Sequence, residues 1–354
     1  MSQTPIYLQA VTPGQLAESV PEATLADARR IVAQVHRDED PGTPSSGIRR
    51  LAREAVVRRG VVPALEVTAE ASSELDPFVK YALRTPDGHV VEAVRIPLER
   101  AGRFSVCVSS QVGCALACAF CATGRLGLSR NLEVWEIVEQ VRVVRRGLRA
   151  RGIGRVHGVV FQGMGEPLAN ADRVIAAIRV LTDPSALAID ARNVTVCTAG
   201  LPSGIRRLAV EAPNVRLGWS IGSARPGRRR SLMPIDASHD TSAVLEACVE
   251  HARATAQSPM WAYTLLAGVN DGPEDALALA RLVDDFRQRA GHSPRLSLIP
   301  YNSLGHDDPF SRSAPDAEAR FRDALSAAGV ASHRRYSGGA DVQAACGQLA
   351  GQAR

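Results

Sequence analysis

The chain is short of several things, and each shortage narrows what it can be. Its 354 residues carry 42 basic side chains, yet only one of these, Lys80, is a lysine. A net charge of +5 suits a phosphate-rich partner. An arginine-biased composition scattered over a solvated surface gives the same number, so charge alone does not establish RNA binding. No apolar run approaches the roughly 18 residues a membrane span needs. The first residues, Met1 to Ala10, lack the basic start and apolar middle of a secretion signal, which points to the cytoplasm. No repeat beyond a strand–helix alternation and no low-complexity tract is visible. Hydrophobic content of 45% and charged content of 22% are those of an ordinary soluble globular protein.

Cysteine is what stands out. There are seven, an odd number, and four of them fall between Cys107 and Cys121. Dispersed, paired frameworks belong to small secreted domains; crowding in a long cytosolic chain points to metal or redox chemistry. Cys114, Cys118 and Cys121 form C-x3-C-x2-C in the run CALACAFCATGR. Three thiolates on a tight loop can hold one iron–sulfur cube and leave one iron without a protein ligand. A structural zinc would want a fourth ligand and paired spacing, and neither a second pair nor a nearby histidine is present. Cys248 sits between Leu245 and Val249 in a helical pattern and reads as core packing.

From Ser105 onward, β-branched apolar runs alternate with helical periodicity. The spacing predicts strands at Ser105–Ser109, His157–Gln162, Asn193–Cys197, Val215–Ile221, Met260–Leu265 and Arg295–Ile299. Between the first two strands, Val134, Ile137, Val138, Val141 and Val144 recur on one helical face. Further helices follow each strand, and Pro273 and Pro315 sit where a first turn accepts proline. Six such repeats imply an α/β fold with a parallel sheet under helices. An open doubly wound sheet and a partial barrel both satisfy the pattern. Either places chemistry at the carboxyl ends of the strands, where the notable residues fall. The first 90 residues read as a small α+β accessory domain. Helices are expected at Leu25–His36 and Gly47–Arg59, and a hairpin turns at Asp87-Gly88.

C-x3-C-x2-C after the first strand of such a repeat is similar to the signature of the radical S-adenosylmethionine (SAM) superfamily. VCVSSQVGCALACAFCATGRLGLSRNL, FQGMGEPLAN, LIPYN and AACGQLAG, in that order, resemble the RlmN/Cfr family of RNA adenosine methyltransferases over about three-quarters of the chain. The resemblance implies a partial (β/α)6 radical SAM barrel over residues 91–330. It also implies an accessory, RNA-binding domain over 1–90 and a C-terminal segment, 331–354, that bears a methyl-accepting cysteine. It implies a [4Fe–4S] cluster on Cys114, Cys118 and Cys121, with SAM on its open iron. Gly165 and Glu166 match the SAM-binding turn; Cys197, Ser220, Ile221, Gly222 and Asn302 match further cofactor contacts. Cys346 matches the cysteine that is methylated by one SAM and loses hydrogen to the radical from a second. Cys107 would then pair with Cys346 to release product, and Glu92 would take the adenine proton. RNA, ribosomal or transfer, is the implied substrate. A cytosolic donor such as flavodoxin is the implied electron source, and the chain is expected to be a monomer.

Several positions depart from the family pattern. Cys197 stands where the family has serine, and Gly222 where it has histidine. The basic stretch Arg-Lys-Thr-Arg-Gly reads Arg335-Tyr336-Ser337-Gly338-Gly339. Two extra residues separate Glu92 from Cys107. The run Arg228, Arg229, Arg230 reads as a solvated loop, or as phosphate contacts replacing the lost basic residues. Two alternatives stay open on sequence alone: a radical SAM enzyme acting on a non-RNA substrate, and a non-catalytic RNA-binding protein with a structural cluster.

Overall fold

The structure is a computed structural model that describes residues 4–351. Helices α1 (Pro13–Ser19), α2 (Leu25–His36) and α3 (Arg50–Arg59) come first. Thr12 and Thr24 open the first two with reciprocal capping boxes: each hydroxyl accepts from the N–H three residues on, and Gln15 or Asp27 accepts from the cap N–H. Ten strands then build one sheet: β1 (Glu66–Ser72), β2 (Val79–Arg84), β3 (Val90–Pro97), β4 (Arg103–Val108) and β5 (Arg155–Phe161), followed by β6 (Val194–Thr198), β7 (Arg216–Ser220), β8 (Met260–Leu265), β9 (Arg295–Pro300) and β10 (Ser332–Arg334). Their order across the sheet is their order along the chain. Strands β1 to β4 pair antiparallel, and β4 to β10 pair parallel.

Each parallel crossover carries a helix: α4 (Val134–Arg151), α5 (Ala171–Thr182), α6 (Pro202–Glu211), the short α7 (Arg228–Leu232) with α8 (Thr241–Thr255), then α9 (Pro273–Ala290) and α10 (Pro315–Ala327). Right-handed crossovers between sequential strands put every helix on one face of the sheet. A doubly wound sheet needs a reversal of strand order, and this sheet has none. The fold is the partial (β/α)6 barrel, and the choice that periodicity left open is settled by strand order.

The expected elements appear close to their expected bounds, and α5 stops before Asp183-Pro184. The helical face of Ile137, Val138, Val141 and Val144 is buried against the sheet. Trp219, Trp261 and Phe286 fill the core with edge-on ring contacts of 5.1 and 5.2 Å. The hairpin strands β2 and β3 are continuous with the barrel sheet, since Val94 on β3 lies opposite Cys107 on β4. The helices before them are fastened to α4 by Arg142, which donates to Val35 O and pairs with Asp38, both at 2.9 Å.

Candidate active site

The cluster loop follows β4. It is held by a short hairpin, Gln111–Cys114 against Gly127–Asn131, and by Ala119 N donating to Leu232 O at 2.9 Å. Cys114, Cys118 and Cys121 all face a cavity at the carboxyl ends of the barrel strands. Among the described residues no three His, Cys, Asp or Glu side chains converge on a single ion position. Three thiols at one cavity fit a cube ligated at three corners, whereas a structural zinc would want a fourth ligand. Burial pushes the Cys114 thiol up to about 11 and raises Cys118 and Cys121 as well, so all three must release protons to ligate metal.

The opposite wall is the turn after β5. Gly165 has φ +96°, and a Cβ there would lie 2.5 Å from the Gln111 side chain; only glycine lets this turn lie against the cluster hairpin. Glu166 follows it into the cavity. Its carboxylate accepts from Leu168 N at 3.0 Å and from Ala199 N at 2.8 Å. Burial raises its pKa while those two N–H groups and Thr198 hold it down. Cys197, Ser220 and Gly222 line the same cavity, whereas Ile221 is wholly buried beneath it. Asn302 turns its amide away, donating to Ser337 Oγ at 2.8 Å and to Cys346 O at 3.2 Å.

The departures from the family pattern have local explanations. The sulfur of Cys197 needs more room than a serine hydroxyl, and Gly218 on β7 supplies it: a Cβ at 218 would stand 2.8 Å from Cys197 Sγ. At Gly222 the space a side chain would take is filled by Met233, whose sulfur lies 2.5 Å from the ideal Cβ. A polar contact is thus replaced by an apolar wall.

The arginine run corrects the reading of a solvated loop. Arg229 is fully buried. It pairs with Asp236 at 2.6 Å, donates to Ile221 O at 3.1 Å and to His239 O at 3.2 Å, and also donates to Ala199 O. Arg228 donates to Val269 O; only Arg230 is exposed. A sequence run of like charges gave no sign that its middle member points inward.

A second, smaller cavity adjoins the first; Cys107, Gln162 and Arg335 line it. Cys346 belongs to both cavities. Arg335 donates to Gln162 Oε1 at 3.0 Å, and its positive charge faces Cys107 and Cys197. Burial pushes Cys197 up to about 12 and raises Cys107 too, with Arg335 opposing both shifts. Arg335 and Gln162 were not expected from sequence; an arginine in an arginine-rich chain carries no signal of its own. The segment after Cys346 is fastened to the cluster loop, with Ala122 N donating to Gly347 O at 2.8 Å and Thr123 Oγ1 to Leu349 O at 2.5 Å.

Glu92 lies on β3, diagonal to Lys80 on β2, and outside the wall of either cavity. The lone lysine pairs with Glu92 Oε1 at 3.0 Å, both side chains being buried. Ala350 N and Gly351 N donate to Oε2 at 2.7 and 3.0 Å. All three partners are donors, so the carboxylate is arranged as an acceptor.

Placed beside known structures, the chain matches a radical SAM methyltransferase from Sphaerobacter thermophilus with a TM-score of 0.88 and 33% identity, over 98% of this chain and all of that one. The fold is that of the radical SAM methyltransferases. In sequence the chain is 62% identical over 347 residues to a probable RNA methyltransferase of Sorangium cellulosum, covering 92% of this chain and 88% of that protein. It is 40% identical over 286 residues to the dual-specificity RNA methyltransferase RlmN of Syntrophobacter fumaroxidans, covering 81% and 80%. No family model matches it. The chain belongs to the RlmN/Cfr family of radical SAM enzymes. No helix among the described residues is long and apolar enough to cross a membrane.

Proposed function

We propose that the enzyme methylates a ring carbon of an adenine in RNA, ribosomal or transfer, through a methyl group carried on Cys346. The observation that carries this reading is the position of Cys346, which is shared by the cavity of the cluster cysteines and the cavity of Cys107. A thiol there can face a methyl donor on one side and a substrate on the other. The relatives named as RNA methyltransferases support RNA as the substrate.

Cys114, Cys118 and Cys121 are the residues that would hold a [4Fe–4S] cluster, and Gly165 and Glu166 those that would hold SAM beside it. When bound, the pair supplies a methyl group and, on reduction, a radical able to take hydrogen from that methyl. The chain's own residues do the rest. Cys346 receives the methyl as a nucleophile and later joins its carbon to the adenine; the ring then gives up one proton and one electron, for which a cluster held by Cys114, Cys118 and Cys121 would be the acceptor. The family resemblance gives Glu92 the role of accepting the proton that the ring must lose; as it lies behind Ala350 and Gly351 and is paired with Lys80, that role requires the residues after Cys346 to move aside. Cys107 attacks the Cys346 sulfur; the sulfur–carbon bond breaks, the carbon keeps the electron pair and takes a proton, and a disulfide remains. Such a disulfide belongs to the catalytic cycle of a cytoplasmic enzyme and must be reduced before the next turnover. A flavodoxin-like donor fits the reductive step, and residues 1–90 fit an RNA-facing role.

Peptide mapping tests the reading without knowing the RNA. Wild-type protein given SAM should gain one methyl group on the peptide containing Cys346, and Cys346→Ala none. Full RNA methylation by Cys346→Ala would sink it.

A further inference from the structure

The mouth of the smaller cavity holds an aromatic pair that the transfer chemistry does not use. Tyr336 is 69% exposed, in a chain where aromatics make up only 4% of residues. Its ring lies 6.1 Å from that of Phe78, inclined by 58°. Phe78 is 7% exposed, and both rings line the cavity that contains Cys107 and Cys346.

The exposed ring is fixed in place. Tyr336 OH donates to Asp76 Oδ2 at 2.9 Å, and the same oxygen accepts from Gly339 N at 2.9 Å. Asp76 Oδ1 accepts from Phe78 N at 3.1 Å. Further on, Asp341 accepts from Ser73 Oγ at 2.7 Å and from Glu74 N at 2.9 Å. The strap 336–341 is therefore pinned along its length to the turn 73–78. A Cβ at Gly338 would stand 2.5 Å from the Phe78 ring, so glycine is what lets the strap lie this close. Leaving a large aromatic face in water forgoes burial energy. Fixing it there beforehand lowers the ordering cost when something covers it.

We propose that Tyr336, backed by Phe78, is a stacking platform for an unpaired nucleobase of the RNA that enters the Cys346 cavity. The inference rests on the carrier reading of Cys346. Tyr336 lines the cavity by which a base would reach Cys346, and every base has a π-face to stack. The family resemblance places lysine at this position, a charge that would grip phosphate. Tyrosine exchanges a salt-dependent contact for a stacking one.

The test uses the full-length, cluster-loaded enzyme and two RNA hairpins closed by the same non-nucleotide linker, one with a single bulged adenine in its stem and one abasic at that site. Wild type should bind the adenine hairpin about 5- to 150-fold more tightly, the range that base–aromatic stacking gives. Tyr336→Ala should lose that preference while binding the abasic hairpin as wild type does, and Tyr336→Trp should keep it. All three proteins should still gain a methyl group on Cys346 when given SAM. The platform is overturned if Tyr336→Ala keeps the preference, if Tyr336→Trp loses it, or if wild type shows none. Absence of methyl on wild-type Cys346 overturns the carrier reading instead, whatever the hairpins show.

Discussion

Replacing Arg229 with leucine should damage both stability and cofactor binding. Among the described residues the guanidinium is the sole charge partner of Asp236, and it supplies donors to the carbonyls of Ala199, Ile221 and His239. Leucine would fill much of the volume but leave a buried carboxylate unpaired, a loss of about 3–5 kcal/mol. At about 2 °C per kcal/mol for a chain of this size, the melting temperature should fall by roughly 6–10 °C. The functional effect follows from the next bond along, since Ala199 N donates to Glu166 Oε2 at 2.8 Å. Freed from Arg229, the peptide of Ala199 no longer holds Glu166 at the cavity wall, and S-adenosylhomocysteine should bind more weakly by calorimetry. Arg230→Ala, at an exposed position of the same run, should change stability by no more than about 0.5 kcal/mol. An Arg229→Leu protein that melts within about 2 °C of wild type with unchanged affinity would refute this account of the loop.

Two further expectations concern the metal and the pH response. Anaerobically reconstituted protein should hold about four irons per chain, as one cube requires; Cys118→Ala should abolish them and Cys248→Ala, in the core of α8, should not. Stoichiometric zinc in wild type would overturn the assignment. His36 and His251 are buried and neutral, lowered by burial to about 3 and about 4, with Arg142 and Arg145 adding to the effect at His36. The unfolded chain takes up these protons near 6.5 while the folded chain resists. Stability should therefore be full above about pH 6.5 and decline as pH falls toward 4. Melting curves across that window should show it, and His36→Gln should flatten the decline; a wild-type profile already flat would contradict the burial argument.

What the sequence made legible follows from how each signal is encoded. The barrel elements were readable because β-branched runs and a 3.6-residue apolar period reflect burial directly; Met260–Leu265 has the bounds the spacing predicted. Strand β1 was not, because EVTAEAS is an edge strand whose residues are exposed or half-exposed on both faces, leaving no alternation to detect. Strand β10 is three residues long, too short for any period. In the site, the gathering of Cys114, Cys118 and Cys121 at one cavity was legible from spacing, since three cysteines on one loop are local. Arg335 with Gln162, and Lys80 with Glu92, are partnerships across strands, and only the fold brings them together. The inward turn of Arg229 depends on a short helix, α7, that a run of arginines does not announce.

The ties after Cys346 have a consequence for how the enzyme comes into being. Gly347 and Leu349 hang from Ala122 and Thr123, residues that immediately follow the last cluster thiol, and Ala350 and Gly351 close over Glu92. On the proposed reading, the loop that would fold around metal is also the splint for the carrier thiol and for the cap on Glu92. A chain whose loop stayed unformed would leave its last residues without that support, and loading of iron and readiness for methyl transfer would become a single assembly step.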